Sequence, residues 1–308
     1  MLKPRPFFII GSPRSGTTLL RYMLQMHPRI AIPRESHFVV GLAPRRILWK
    51  RPHRASVDDI LDHHWVRTWD FDRDVARRYV EQISPQTYPE LVSAVFTAYA
   101  AAHDKERWGD KTPGFASHVP LLAGMFGDAQ FIHVIRDGRE TAASLAERAF
   151  GPRTAIAGAF WWRRRVRRAR VTGRKLGSDR YYELRLEDLI AAPELSLREV
   201  CEFLGEDYTP EMLDYWKRAQ QRGLGGDAVM HLTKPPTPGL RDWKRGLTPL
   251  EQRGVEAVCY RTLREFGYAS GRWTLSGHIY AWIVWLQDLA RSGPRALRAR
   301  LSPTTRNF

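Results

Sequence analysis

The sequence predicts an α/β protein, a parallel sheet flanked by helices on both faces, in a single domain with a helical C-terminal extension. Three observations predict it. A short apolar run, Phe7-Phe8-Ile9-Ile10, ends in a glycine-rich turn and passes into a helical pattern. The same strand–turn–helix unit returns at Phe131-Ile132-His133-Val134-Ile135, followed by Arg136-Asp137-Gly138-Arg139. Strand and helix patterns then alternate further along the chain, as they do where parallel strands are joined by helical crossovers.

The elements follow in order. Phe7 to Ile10 reads as a buried parallel strand. Leu19, Leu20, Met23, Leu24 and Met26 give residues 16–27 a helical period that stops at Pro28. Residues 56–66 and 86–103 read as helices, with Ser56 and Ser84 as N-caps. A short extended stretch ends in the turn Trp108-Gly109-Asp110-Lys111-Thr112-Pro113, before a helix over 117–126. The strand at 131–135 leads into a helix to about residue 149, and 154–172 forms a long helix crowded with arginine. Tyr181 to Leu186 is a further strand, and 195–205 and 210–220 are helices. Residues 222–247, rich in Gly and Pro, read as a long loop. It ends in Thr248-Pro249-Leu250-Glu251, a capping box with Pro at the first helical position, which opens a helix to about residue 266. The domain is expected over 1–270, followed by a basic, Trp-rich C-terminal extension over 271–308.

Lys and Arg number 49 against 33 Asp and Glu, a net charge of +16, so the expected partners are polyanions or strongly anionic small molecules. Arginine dominates the excess, and its fork suits phosphate and sulfate. Cys201 and Cys259 lie in apolar periodic segments and read as buried thiols; no disulfide framework or zinc spacing appears. The segment MLKPRP has no apolar run of a secretory leader, and no stretch has the apolar length of a membrane span. The expected location is cytoplasmic, with membrane association left open.

The turn Gly11-Ser12-Pro13-Arg14-Ser15-Gly16-Thr17-Thr18 places Gly11 and Gly16 where a nucleotide-binding P-loop has its glycines, and Thr18 closes it. The P-loop lysine is missing: Thr17 stands there, and Arg14 lies inside the loop. A strand entering a helix N-terminus presents backbone N–H groups and a positive dipole end to an anion. Without the lysine, and without an evident acidic metal ligand, ATP hydrolysis is disfavoured.

Pro13-Arg14-Ser15-Gly16-Thr17-Thr18-Leu19-Leu20 resembles the 5′-phosphosulfate loop of the PAPS-dependent sulfotransferases, in particular the bacterial carbohydrate and tyrosylprotein branch. PAPS is 3′-phosphoadenosine 5′-phosphosulfate. Two further segments carry the resemblance. Val134 to Ser144 is similar to the family's 3′-phosphate site, with Arg136 after the strand and Ser144 on the helix. Glu183-Leu184-Arg185-Leu186-Glu187-Asp188-Leu189 resembles its strand-and-turn segment, with Phe203-Leu204-Gly205 as companion. The likeness spans about residues 5–268.

The resemblance implies a P-loop-type fold and an enzyme that transfers a sulfuryl group from PAPS to an acceptor hydroxyl, releasing PAP and using no metal. It implies cofactor contacts from Arg14, Ser15, Gly16, Thr17, Thr18, Arg136 and Ser144. Glu35, in Ile32-Pro33-Arg34-Glu35-Ser36-His37, resembles the family's glutamate base, and His37 is its rival. Lys111 resembles the lysine of the family's [EDN]-K-[TD]-P segment, which implies that it stabilises the transferring group together with Arg14. Arg241, Trp243 and Lys244 resemble the tail that covers the nucleotide. The R-K-G triplet of the cytosolic enzymes is absent, Lys234-Pro235-Pro236 standing instead, which leaves the late 3′-phosphate contacts open.

Two other classes stay in view, a P-loop kinase of a small molecule and a basic nucleic-acid or membrane-surface binding protein. Asp59, Asp62, His63 and His64 do not converge as metal ligands. The run Arg163 to Arg170 reads as a solvated basic face, and it lacks a stacking module for nucleic acid. In the extension, Ile279-Tyr280-Ala281-Trp282-Ile283-Val284-Trp285-Leu286 precedes Arg291, Arg295, Arg298 and Arg300. That pattern suits peripheral membrane contact, packing on the domain, or a homodimer partner. The acceptor, a small molecule, glycan, lipid or tyrosine hydroxyl, is not readable.

Overall fold

The computed structural model describes residues 4–43, 56–149, 151–221, 230–237, 242–268, 271 and 273–291. The first strand, β1 (Phe7–Gly11), is buried along its whole length and enters helix α1 (Thr17–Gln25) through the glycine-rich turn. Then come β2 (Ile30–Ala31) and five helices: α2 (Phe38–Gly41), α3 (Val57–Leu61), α4 (Arg73–Ile83), α5 (Tyr88–Ala101) and, after strand β3 (Arg107–Lys111), α6 (Val119–Met125). Strand β4 (Gln130–Ile135) leads to α7 (Gly138–Ala146) and the long α8 (Ala155–Gly173). Strand β5 (Tyr181–Arg185) is followed by α9 (Leu186–Ala191), α10 (Pro193–Leu204), α11 (Tyr215–Gln221), α12 (Pro249–Glu265) and α13 (Leu275–Arg291).

The five strands are parallel in the order β2-β3-β1-β4-β5. Alternate residues of the apolar strands serve opposite faces. Phe8 and Ile10 join Phe131 in a core under α5 and α6, while Phe7 and Ile9 join Ile132 and Val134 in a core under α1 and α10. A third core, around Trp162, binds α7, α8 and α12. Both cysteines are buried, as the apolar periodicity predicts.

The connection leaving β1 runs to one side of the sheet, and those leaving β3 and β4 run to the other. The crevice beside the carboxyl end of β1 is therefore a topological switch point, where open α/β sheets hold ligands. Registers place Ile9 beside Lys111 and Gly11 beside Val134, so the turns after β1, β3 and β4 leave the same edge.

At the opposite edge, Arg107 is buried and donates to the Leu204 carbonyl at 2.6 Å and to Gln130 at 2.7 Å, with an ion pair to Glu206 at 3.0 Å. The Phe203-Leu204-Gly205 segment thus serves the sheet: Gly205, at φ 73°, ends α10 and turns the Leu204 carbonyl toward Arg107.

Most of the expected elements are present; Ser56 caps its helix and the Thr248 capping box forms, as expected. The region after Ser56 is shorter than expected: α3 ends at Leu61, and a 3-10 turn, Val66–Thr68, follows. Ser84 is a correction. It ends α4 in the left-handed conformation, φ 53°, and the N-cap of α5 is Thr87 in a capping box with Glu90. The 210–220 segment splits into a 3-10 turn, Pro210–Asp214, and α11.

Gly16 shows why the loop needs glycine. Its φ is 89°, and a β-carbon there would lie 2.3 Å from Leu186 Cδ1, at the turn after β5. Gly16→Ala is expected to cost roughly 1–3 kcal/mol from the backbone alone, measured by urea unfolding. Combining it with Leu186→Ala is expected to give a variant more stable than the sum of the two single changes, because the shortened side chain removes the collision.

Candidate active site

The turn between β1 and α1 is a compact knot. Ser15 donates to the Ser12 carbonyl through both its backbone N–H, at 3.1 Å, and its hydroxyl, at 2.6 Å. Arg14 sits at φ 72°, left-handed for a residue with a side chain, a conformation that costs energy and has to be held by neighbours. Two holds are present. Arg14 Nε donates to Ser144 Oγ of α7 at 3.1 Å, and the Arg14 carbonyl accepts from Arg136 Nη1 at 3.3 Å. No side chain caps α1 at Gly16, and the first N–H groups of a helix have no intrahelical partner. Ser12 Oγ is buried with no hydrogen-bond partner. Arg14, Ser15, Gly16, Thr17, Thr18, Arg136 and Ser144 are thus brought to one crevice.

Arg136 is also paired with Glu140, at 3.3 Å, while Asp137 is taken by Arg139 at 2.7 Å. Two carboxylates not singled out in the sequence organise this side. Glu187, in the first turn of α9 directly after β5, accepts from the Asp137 backbone N–H at 3.0 Å and from the Tyr268 hydroxyl at 2.6 Å. Glu140 accepts from the Trp243 backbone N–H at 3.0 Å, tying the tail to Arg136. Trp243 is buried in the third core with the Arg139 guanidinium 5.3 Å from its ring centre. Lys244 is exposed beside it, and Arg241 lies outside the described residues.

At the end of β3 the structure joins Glu35 to Lys111. Lys111 Nζ donates to Glu35 Oε1 at 2.6 Å, and the second oxygen, Oε2, meets His37 Nε2 at 3.0 Å. The Lys111 side chain is 5% exposed and that of Glu35 28%, so the carboxylate is the member that reaches the crevice. Burial raises the Glu35 carboxyl, but the His37 hydrogen bond and the Lys111 charge outweigh it and bring the pKa down to about 2. Burial lowers the Lys111 ammonium, and Glu35 opposes that shift. The His37 ring packs 4.8 Å from that of Trp65, and His63 and His64 continue the aromatic row. Asp62 is occupied by Arg67 and Arg73, and Asp59 completes the Ser56 capping box of α3, so these groups are engaged in local structure.

Asp110 explains how Glu35 is placed. It is fully buried and accepts from the Ser36 hydroxyl and, at 3.3 Å, from Thr112 Oγ1. Thr112 Oγ1 accepts from the Ser36 backbone N–H at 3.0 Å. The segment 35–37 is thereby pinned to the end of β3. Its partners being hydroxyls, burial dominates at Asp110 and pushes its pKa up to about 6.

This crevice lies at the switch point of a parallel α/β sheet, beside an uncapped helix N-terminus, a geometry suited to an anion. A model of the sulfotransferase family matches residues 6–210, well over half of the chain, and the protein belongs to that family, whose members transfer a sulfuryl group. It is similar to a putative protein-tyrosine sulfotransferase of Caenorhabditis briggsae, 26% identical over 215 residues that cover 68% of each chain. It also resembles the nodulation protein NoeE of Sinorhizobium fredii (strain NBRC 101917 / NGR234), 32% identical over 139 residues, 45% of this chain but only 30% of that protein. Among solved structures, the sulfotransferase domain of the Synechococcus PCC 7002 olefin synthase superposes with a TM-score of 0.62, covering 87% of this chain and 97% of that one at 23% identity, a likeness of fold.

Asp110 binds its proton more tightly folded than unfolded, so between about pH 4, the ordinary carboxylate range, and its folded value near 6 its contribution to stability falls as pH rises. Asp110→Asn removes that term. The stability of the variant minus that of the parent is therefore expected to increase over this window, as measured by denaturant unfolding at its two ends.

Proposed function

We propose that the protein transfers a sulfuryl group from PAPS to a hydroxyl of a sugar, lipid, natural product or tyrosine by in-line displacement, with Glu35 as general base. The observation that carries this reading is the Lys111–Glu35–His37 cluster, set on the same sheet edge as the Arg14–Ser144–Arg136 linkage. The Glu35 carboxyl is held down at about 2, with the Lys111 ammonium against one oxygen and the His37 ring against the other.

The residues fit the donor. The uncapped start of α1, the orphan Ser12 hydroxyl and the glycine at Gly16 suit a 5′-phosphosulfate. Arg136 and Ser144 suit the separate 3′-phosphate, and Trp243 and Lys244 stand at the tail that approaches them through Glu140. Bound there, PAPS supplies the sulfuryl group and leaves as PAP. Arg14 and Lys111 hold positive charge where negative charge develops. Glu35 orients the acceptor hydroxyl and takes its proton; His37, which holds Glu35 Oε2, is the alternative base. Burial is the largest influence on Glu35, so an anion that draws Lys111 away raises its proton affinity and makes it a stronger base. We assign the transfer to residues 1–270 and leave 271–308 outside it.

Calorimetric titration with PAP tests the donor site. Tight binding that ATP barely displaces, lost in Arg14→Ala, is expected. Absence of binding, or preference for magnesium-ATP, overturns the reading in favour of a kinase. With PAPS and a panel of phenols, sugars and tyrosine peptides, Glu35→Gln is expected to lower kcat about 10²–10⁴-fold with PAP affinity unchanged. A loss of that size in His37→Gln but not in Glu35→Gln would reassign the base.

A further inference from the structure

Helices α8 and α13 carry a second surface, made of residues other than those of the site above. Helix α13 packs one side against the third core through Ala281, Tyr280 and Val284. Its other side exposes Leu275, Ile279, Trp282, Ile283 and Leu286, each with 39–61% of its surface open. Their spacing puts them on one face of a helix, an apolar ridge about 17 Å long at 1.5 Å per residue. Alongside runs the outer face of α8. The two helices enclose a cleft of about 560 Å³ lined by Arg163, Arg164, Arg167, Arg168, Trp161 and Trp285, among others. The one acidic residue lining it among the described residues, Asp288, is buried.

We propose that this face docks on an anionic lipid bilayer, with the α13 ridge sunk to the headgroup level and the α8 arginines against lipid phosphates. Charge complementarity chooses the occupant. Apolar residues with tryptophans beside a basic row are the composition of an interfacial helix, which lies in the plane of the membrane. No described helix is long and apolar enough to cross one. A second copy docked by two-fold symmetry would bring two arginine rows together over a face whose carboxylate is buried, so like charges oppose it. Nucleic acid would use the arginines but leave the aliphatic ridge in water.

The full chain should cosediment with vesicles of phosphatidylcholine and phosphatidylglycerol in equal parts, and not with phosphatidylcholine alone. Arg164→Gln/Arg167→Gln is expected to weaken this by about fivefold per arginine. Ile279→Gln/Ile283→Gln/Leu286→Gln is expected to abolish it. All of these positions are exposed, and circular dichroism and Tm check that the variants stay folded. The proposal fails if mixed vesicles do not bind, if neutral vesicles bind equally, or if either variant binds like the parent. It also fails if sedimentation equilibrium finds a dimer that the ridge variant dissociates, since a second copy then covers the face. PAP binding reports the donor site separately, so either conclusion can fall without the other.

Discussion

Gly16 lies against Leu186 with no space for a β-carbon, and the architecture of the crevice depends on that contact. It joins the turn after β1 to the turn after β5, two strands apart in the sheet. The next residue, Glu187, reaches the Asp137 backbone and the Tyr268 hydroxyl, so the turn after β4 and the end of α12's trailing segment are drawn in as well. A side chain at Gly16 would push these turns apart and would carry Arg14 away from Ser144 and Arg136. The left-handed backbone of Arg14 is tolerable because its side chain and carbonyl are both held by that assembly.

Glu35 and Asp110 show how neighbouring carboxyls are given different chemistry. Both are substantially removed from water, which disfavours the charge on each. Glu35 has an ammonium and an imidazole against its two oxygens and stays ionised far into acid. Asp110 has hydroxyls, one oxygen without a hydrogen-bond partner, and a raised pKa. Environments that push two such groups apart are the usual mark of divided labour in a site: here one carboxyl faces the crevice and the other fixes the chain that carries it. A carboxylate near pKa 2 is a poor base while Lys111 holds it. In the function proposed above, the same lysine that restrains the base is the cation the transferring group requires.

What the sequence made legible was local. The glycines of the β1 turn, the apolar strands and the Thr248 capping box each carry their cause within a few residues. Helix α4 was missed because its inward face is thin: Ala76 and Val80 are its buried residues, set among arginines, so the apolar period is weak. Ser84 was misread because a helix end and a helix start use the same small polar residue, and its left-handed φ is not written in the sequence. The pairing of Glu35 with Lys111 spans 76 positions, and no spacing rule reaches it; only resemblance put the two in one site. Asp110 and Glu187 lie within recognisable motifs, yet their work is to hold backbone, which residue type alone does not reveal.

The arginine excess was read from composition as one property, and the structure divides it. Arg107, Arg139 and Arg170 are committed to carboxylates or carbonyls inside the fold, and Arg165 is buried with its guanidinium 3.9 Å from the Trp161 ring centre. Their charge stabilises packing and contributes little to what a partner meets. Arg14 and Arg136 lie in the crevice, where a few well-held donors matter more than net charge. The outer face of α8 is different again: its arginines flank an apolar ridge, and neither a small anion nor the sheet edge requires that combination. A net charge of +16 therefore reports three separate demands, of which the site explains one. Among the described residues, a surface that stays basic and apolar together after folding is the mark of an interaction site, and it is this surface that the membrane proposal addresses.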